Sequence, residues 1–240
     1  TVYYTIHDLI PHEKAFNNIK QRLFHFYMEW AVKHAIRLAD NLVTNSKNQY
    51  NTIRNMYSGK NTYYHHFPSL ILDSIQKGKN ECPEIKNAGK YILYFGSIEK
   101  YKGIEYLYEA FHNSNLHDYK LVIAGSGTIY FHHQSNYRII LINRYIKDDE
   151  IRMLFEQATC VVYPYISATQ SGVLSLAYKF QTPVLVSDIP FFQECSDKNC
   201  CLLFNKANTH DLSRQLEKLL FNTNLKNMQS AQKHISNNMY

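Results

Sequence analysis

From residue 90 onward, short apolar runs alternate with longer segments of helical periodicity. The runs Tyr91–Phe95, Lys120–Ala124, Arg138–Ile142, Thr159–Tyr163, Pro183–Ser187 and Cys201–Phe204 predict strands. Continuous rather than alternating hydrophobicity marks strands covered on both faces. Helical patterns fall between them at Ile104–His112, Asp148–Gln157, Ser171–Phe180 and Thr209–Asn222. Asp148, Asp149 and Glu150 place negative charge in the first turn of the second helix, a start signal. The segment Thr128–Asn136 fits neither pattern. Strands alternating with helices predict an α/β domain built on a parallel sheet, with ligands bound at the carboxyl ends of its strands.

Residues 1–75 predict a smaller α/β region. It has a strand ending at Ile6, a helix over Asn18–Leu38, a strand at Asn41–Thr44, a helix from near Ser46 and an extended Thr62–Phe67. Residues 76–89, with Gly78, Pro83, Gly89 and several lysines, read as a linker, leaving 90–240 as the larger domain. There is no internal repeat.

Composition narrows the class. A hydrophobic content of 45% and a charged content of 19% belong to a globular protein, and no apolar run approaches the roughly 20 residues of a membrane span. The net charge of +6 suits anionic ligands such as phosphorylated substrates or acidic lipid surfaces; nothing beyond that charge supports a nucleic-acid role. The five cysteines (Cys82, Cys160, Cys195, Cys200, Cys201) show neither a disulfide framework nor paired metal-ligand spacing. A reducing cytoplasm and no metal site are expected.

Three loops that follow strands carry the candidate chemistry. The segment after Tyr163 runs Pro164-Tyr165-Ile166-Ser167-Ala168-Thr169-Gln170-Ser171-Gly172-Val173 into an apolar helix. A helix opening on such small polar residues leaves backbone N–H groups free for an anion. After the first strand, Gly96 permits a sharp turn and Lys102 stands at a helix start, where its ammonium can meet a phosphate oxygen. The second loop is Ala124-Gly125-Ser126-Gly127. Taken singly, these are a solvated lysine, a close-packing glycine pair and a capped structural helix. Together, at corresponding positions of successive βα units, they predict a phosphate or nucleotide site.

The runs FGSIEKYKGIEYLYEAF, KLVIAGSG and RYIKDDEIRMLFEQATCVVYPYISATQSGVLSLAYKFQTPVLVSDIPFFQE resemble the nucleotide-sugar half of retaining GT-B glycosyltransferases, over nearly all of 90–220. Thr5-Ile6-His7-Asp8-Leu9-Ile10-Pro11 and Leu38-Ala39-Asp40-Asn41-Leu42-Val43-Thr44-Asn45-Ser46 resemble late parts of that family's N-terminal domain. The resemblance implies two Rossmann-like domains facing across a cleft, the donor bound by the C-terminal one and the acceptor by the N-terminal one. It implies a nucleotide-sugar as substrate, no cofactor, and a glycan or lipid-linked acceptor. Carried over by position, Lys102 holds the donor diphosphate, Ser171, Gly172 and Val173 offer it amides and a hydroxyl, and Gly96, Ser97, Gly125, Thr169 and Gln170 complete the donor loops. Arg144, Tyr145 and Ile146 line the base pocket mostly through main chain. His7 faces the transferred sugar or acceptor; its plainer reading is a locally bonded histidine closing a strand.

The chain also departs from the family pattern. Two glutamates common in the family's signature loop and helix fall near Ala168 and Leu176, so neither carboxylate is present. An Ala-Thr-Gln-Ser-Gly loop resembles a subset of the family better. Ser97 and Glu99 stand where an arginine is common, with Lys100 adjacent, and Glu194 is expected to be structural. The family's early glycine-rich loop and first strands have no counterpart, so the expectation is a fragment, inactive or very weak alone. The alternative to a glycosyltransferase is a non-catalytic GT-B-like remnant that binds nucleotide or a partner protein. The basic and aromatic Asn18–Leu38 helix reads either as a core helix with a solvated basic face or as a contact with the inner face of a membrane.

Overall fold

The computed structural model describes residues 1–7, 9, 19–65, 71–132, 137–168, 171–196, 199–221 and 225–238. The chain divides into two compact units, Thr1–Phe67 and Pro68–Tyr240.

The smaller unit is a three-stranded parallel sheet of β1 (Tyr3–Ile6), β2 (Asn41–Thr44) and β3 (Asn61–Tyr64), in that spatial order. Helix α1 (Ile19–Leu38) lies between β1 and β2 in the chain, and α2 (Lys47–Met56) between β2 and β3. Ser46 caps α2 by accepting from the Gln49 N–H, the ordinary role of a serine ahead of a helix. Ile6, Ile36, Ala39, Leu42 and Ile53 form this unit's own small core.

The larger unit is a six-stranded, all-parallel sheet. Its strands are β4 (Tyr91–Phe95), β5 (Lys120–Ala124), β6 (Ile139–Ile142), β7 (Cys160–Tyr163), β8 (Val184–Ser187) and β9 (Leu202–Phe204). The spatial order is β6-β5-β4-β7-β8-β9. Burial explains the continuous apolar runs: every residue of β7 and β8 is buried, as are four of the five in β4. The helices between these strands are α4 (Ile104–His112), α5 (Asp148–Glu156), α6 (Val173–Lys179) and α7 (Pro190–Ser196), and α8 (Thr209–Phe221) and α9 (Leu225–Asn238) follow β9. Helix α7 follows β8 where the sequence pattern marks no element, and α6 begins two residues later than its periodicity predicts.

Residues 76–89 belong to the larger unit rather than standing free as a linker. A short helix α3 (Asp73–Lys77) packs against α5, and Ile75, Cys82, Ile85 and Ala88 enter the main core. The Asn80 N–H donates to the Asp149 carbonyl at 3.1 Å, and a Cβ on Gly78 would press on the Asp149 backbone. Glycine and proline in this segment serve close docking, which composition alone does not distinguish from flexibility.

Candidate functional site

The strand order reverses direction between β4 and β7: chain succession runs outward through β5 and β6 on one side and through β8 and β9 on the other. In an open parallel sheet this switch point leaves a crevice beyond the carboxyl ends of the two central strands. The loops that leave β4 and β7 therefore define the candidate site.

These loops are knit together by backbone. The Gly96 N–H donates to the Ala124 carbonyl, the Ile98 N–H to Ser126, and the Ile166 N–H to the Tyr101 carbonyl at 2.9 Å. Gly125 is buried at the contact between the first two loops, with φ +149°, and a Cβ there would overlap the Gly96 carbonyl. Gly103 adopts φ +63°, ψ +30° and backs directly onto the Pro164 carbonyl, which any side chain would displace. These two glycines let three loops converge on one small region.

Lys102 lies in a short 3-10 turn, Lys100–Lys102, just ahead of α4. Its Nζ sits 4.0 Å from the centroid of the Tyr165 ring and 4.9 Å from that of Tyr101. Among the described residues, no carboxylate pairs with it at salt-bridge distance. Burial lowers its pKa below the usual lysine range, opposed by Tyr101 and Glu99. Glu99 instead accepts a hydrogen bond from the Ser97 hydroxyl at 2.8 Å. Ser97 is thereby turned toward Glu99, and its carbonyl accepts from the Tyr94 hydroxyl at 2.7 Å.

Beyond the ring that faces the lysine are two buried hydroxyls, Tyr165 Oη and Ser171 Oγ, neither with a backbone or charged hydrogen-bond partner among the described residues. The two are hydrogen-bonding neighbours, and Ser171 works against the rise which burial imposes on the Tyr165 pKa. Buried hydroxyls normally reach a strong acceptor, and among the described residues this pair has only each other. Gly172 leads into α6 with helical φ −64° and no side-chain cap; the Val173 carbonyl accepts from the Tyr163 hydroxyl at 3.0 Å. Helix α6 has seven residues, so its dipole is that of a short helix. Thr169 and Gln170, both expected in this loop, lie outside the described residues.

Arg144 behaves differently. Its guanidinium forms paired hydrogen bonds with Glu84 (2.8 and 2.9 Å) and Glu150 (2.8 and 2.9 Å) and a fifth to the Tyr145 carbonyl (3.1 Å). Five N–H donors is all that an arginine has, so this side chain has none left for a ligand. The two carboxylates raise its pKa, and its hydrogen bonds hold those of Glu84 and Glu150 below the usual glutamate range. Glu150 also accepts from the Lys147 N–H at the start of α5. Tyr145 is exposed, with its hydroxyl 3.3 Å from Asp148, and Ile146 is buried. This corner offers a ligand main chain and the Tyr145 ring only.

His7 lies in the smaller unit, exposed just beyond β1. Its carbonyl accepts from Gln49 Nε2 at 3.3 Å, and the same amide nitrogen reaches the Ile6 carbonyl and Thr44 Oγ1. Gln49 Oε1 accepts from the Leu9 N–H at 2.7 Å. One buried glutamine thus holds the turn that carries the histidine. Sequence reasoning missed Gln49, and it missed Tyr165, whose contact with Lys102 joins two βα units. Among the described residues, no three His, Cys, Asp or Glu side chains gather to hold a metal ion, and no helix is long and apolar enough to cross a membrane.

Known proteins share this fold. The family model described as "Glycosyl transferases group 1" matches residues 89–222, more than half of the chain. No curated protein matched the sequence. Among solved structures, a sucrose-phosphate synthase from Thermosynechococcus elongatus superposes with a TM-score of 0.72 at 16% identity, over 99% of this chain and 62% of that one. HepE from Anabaena, in complex with UDP and glucose, gives 0.73 at 14% identity, covering 99% and 67%. WaaG, a glycosyltransferase involved in lipopolysaccharide biosynthesis, gives 0.67 at 17%, covering 98% and 70%. At these identities the likeness concerns the fold, which is that of GT-B glycosyltransferases. The chain spans less than two thirds of the length of the synthase.

Proposed function

The chain belongs to the glycosyl transferases group 1 family, and from that premise we propose that it serves transfer of a sugar from a nucleotide-sugar donor to a hydroxyl acceptor, glycan or lipid-linked. One observation carries the reading: at the β4/β7 switch point, a half-buried ammonium with no carboxylate partner among the described residues lies on the Tyr165 ring, whose hydroxyl and the neighbouring Ser171 hydroxyl are buried without another acceptor. A site with one positive charge and spare donors suits the diphosphate of a nucleotide-sugar. HepE has been captured with UDP-glucose, which makes a uridine donor the first to try.

As the glycosidic bond to the donor breaks, negative charge grows on the departing diphosphate and positive charge on the sugar ring. In our reading Lys102 and the Ser171 hydroxyl meet the first of these, helped by the backbone N–H groups of Gly172 and Val173. Donors already in place when that charge develops lower the barrier because little reorganisation is left to do. These protein groups take the neutralising role that a metal fills elsewhere. The same-face, retaining outcome belongs to this proposal, as does His7 of the smaller unit as the residue facing the sugar or acceptor. Glu99, tied to Ser97, is kept from opposing the diphosphate.

Helix α1 supports a membrane-side location. Ile19, Leu23, Phe26, Tyr27 and Trp30 recur at helical spacing and are all exposed, while Ile36 of the same helix is buried. Lys20, Arg22, Lys33 and Arg37 accompany that stripe, against the single acidic Glu29. Aromatic and basic residues along one helix suit the headgroup region of an anionic bilayer, where lipid-linked acceptors reside. Flotation with phosphatidylglycerol vesicles, compared with a Lys20, Arg22, Lys33 and Arg37 to Glu variant, tests this; equal flotation rejects it.

A second reading has its own observation. Ala168 and Leu176 stand where the signature carboxylates are expected, so a nucleotide-binding protein without turnover also fits this loop. Thermal shift over a panel of nucleotide-sugars, followed by donor hydrolysis with the best binder, separates the two. Binding with turnover supports the enzyme, binding without turnover the second reading, and no binding by any nucleotide-sugar defeats both.

A further inference from the structure

We propose that Tyr165 is a positioning residue that holds two phosphate-binding groups at once, its ring seating the Lys102 ammonium and its hydroxyl orienting the Ser171 hydroxyl. The inference rests on the crevice being a phosphate site, as argued above.

The ring contact is direct. A cation within about 6 Å of an aromatic face is held by the ring's quadrupole, and Lys102 Nζ lies 4.0 Å from the Tyr165 centroid. The ring itself cannot shift. It is fully buried and packed on Tyr163 at 5.7 Å, Phe192 at 5.4 Å and Tyr101 at 6.5 Å between centroids. A long, flexible lysine thereby gains a fixed seat at the end of β4 from a residue at the end of β7.

The hydroxyl argument comes from comparing three buried tyrosines at this edge. Tyr94 donates to the Ser97 carbonyl and Tyr163 to the Val173 carbonyl, whereas the Tyr165 hydroxyl reaches no carbonyl among the described residues and has the Ser171 hydroxyl as its neighbour. Phenylalanine would fill the same volume without burying an unmatched polar group, so packing does not explain this oxygen. It lies over Gly96, 3.8 Å from where a Cβ would stand, and beside Ser171. Ser171 is itself partly exposed, although its oxygen is buried. Rotation about χ1 of Ser171 lets Tyr165 donate to Ser171 Oγ while the serine proton turns to a phosphate oxygen. Each hydroxyl then has an acceptor, and the ligand touches the serine rather than the tyrosine.

The two roles separate experimentally. Inorganic pyrophosphate is titrated calorimetrically into the 240-residue chain between pH 7 and 10; its own ionisation is common to all variants. Tyr165→Phe keeps the ring and is expected to weaken binding about fivefold with the alkaline limb unmoved. Ser171→Ala is expected to weaken it similarly, and the double variant no further, since the two hydroxyls act as one unit. Tyr165→Leu removes the ring. The groups facing the ammonium are then Glu99 and Tyr101 on its own turn, and its loss of charge moves to lower pH, shifting the alkaline limb down by about half a unit or more.

Wild-type affinity in Tyr165→Phe, or additive losses in the double variant, overturns the hydroxyl role. An unmoved alkaline limb in a folded Tyr165→Leu overturns the ring role. Should Tyr165→Leu fail to fold, Tyr165→Phe and Ser171→Ala still decide the hydroxyl role, and Tyr165→Trp, which retains an aromatic face, must keep the wild-type limb. Pyrophosphate that binds equally well to Lys102→Met, or not at all to the wild type, removes the phosphate site and this inference together. Loss in Lys102→Met with no effect at Tyr165 removes the inference alone.

Discussion

Lys102 and Arg144 stand on loops at the same carboxyl edge of one sheet, carry the same formal charge, and do opposite work. Arg144 meets two carboxylates and a carbonyl, and all five of its donors are engaged. Lys102 meets two aromatic faces and no carboxylate among the described residues. The arginine fastens Glu84 to Glu150 of α5; the lysine, in our proposal, keeps its charge for a ligand. A basic residue near a sheet crevice therefore indicates ligand binding only after its own partners have been counted.

Four experiments break or sharpen this contrast. The largest effect is expected at Gly125, which lies between the two corners: its N–H donates to the Ile142 carbonyl, which also accepts from Arg144 N–H. Gly125→Ala puts a Cβ into the Gly96 carbonyl at positive φ and should cost more than about 3 kcal/mol by urea unfolding, taking both corners with it. Next, Arg144→Met leaves Glu84 and Glu150 without their partner and should cost about 2–3 kcal/mol, with pyrophosphate affinity within about twofold of wild type. A large loss of affinity with unchanged stability would reverse the assignment.

Lys102→Met should do the converse, weakening pyrophosphate binding by about tenfold or more while Tm stays at or above that of the wild type. The sign follows from burial: a lysine whose folded pKa is lowered costs stability while charged, and that cost is relieved as pH rises through the folded pKa. The smallest effect is in acid. Glu84 and Glu150 have lowered folded pKa values because they accept from Arg144, so their stabilisation is present above the ordinary value of 4.5 and lost as pH falls through the folded values. Wild type should lose stability more steeply than Arg144→Met below about pH 4.5; parallel acid curves would show that the arginine cluster is not the source.

Much of the larger unit was legible beforehand because its strands are buried on both faces. Tyr91–Phe95 and Lys120–Ala124 coincide with β4 and β5 to the residue, and the helix start at Asp148 is where the acidic triplet put it. The segment 76–89 was misread because glycine, proline and lysine mark a docked segment as readily as a free one. Helix α7 was missed since seven residues give too little periodicity. Within the site, Gly96, Gly125, Lys102 and Ser171 were nominated by residue type after a strand, and the three loops do converge. Ser97 and Arg144 come instead from the family resemblance, Arg144 mostly for its main chain, and their side chains are held by Glu99 and by the Glu84–Glu150 pair.

Alone, the order of residues was enough for most of the succession of strands and helices, the parallel sheet and the family, because these depend on local periodicity and on runs of adjacent residues. Which cation has no carboxylate partner among the described residues was decided only in three dimensions. Charge is a property of one residue, whereas neutralisation depends on neighbours such as Glu84, Tyr165 and Ser171, which the fold brings in from distant parts of the chain.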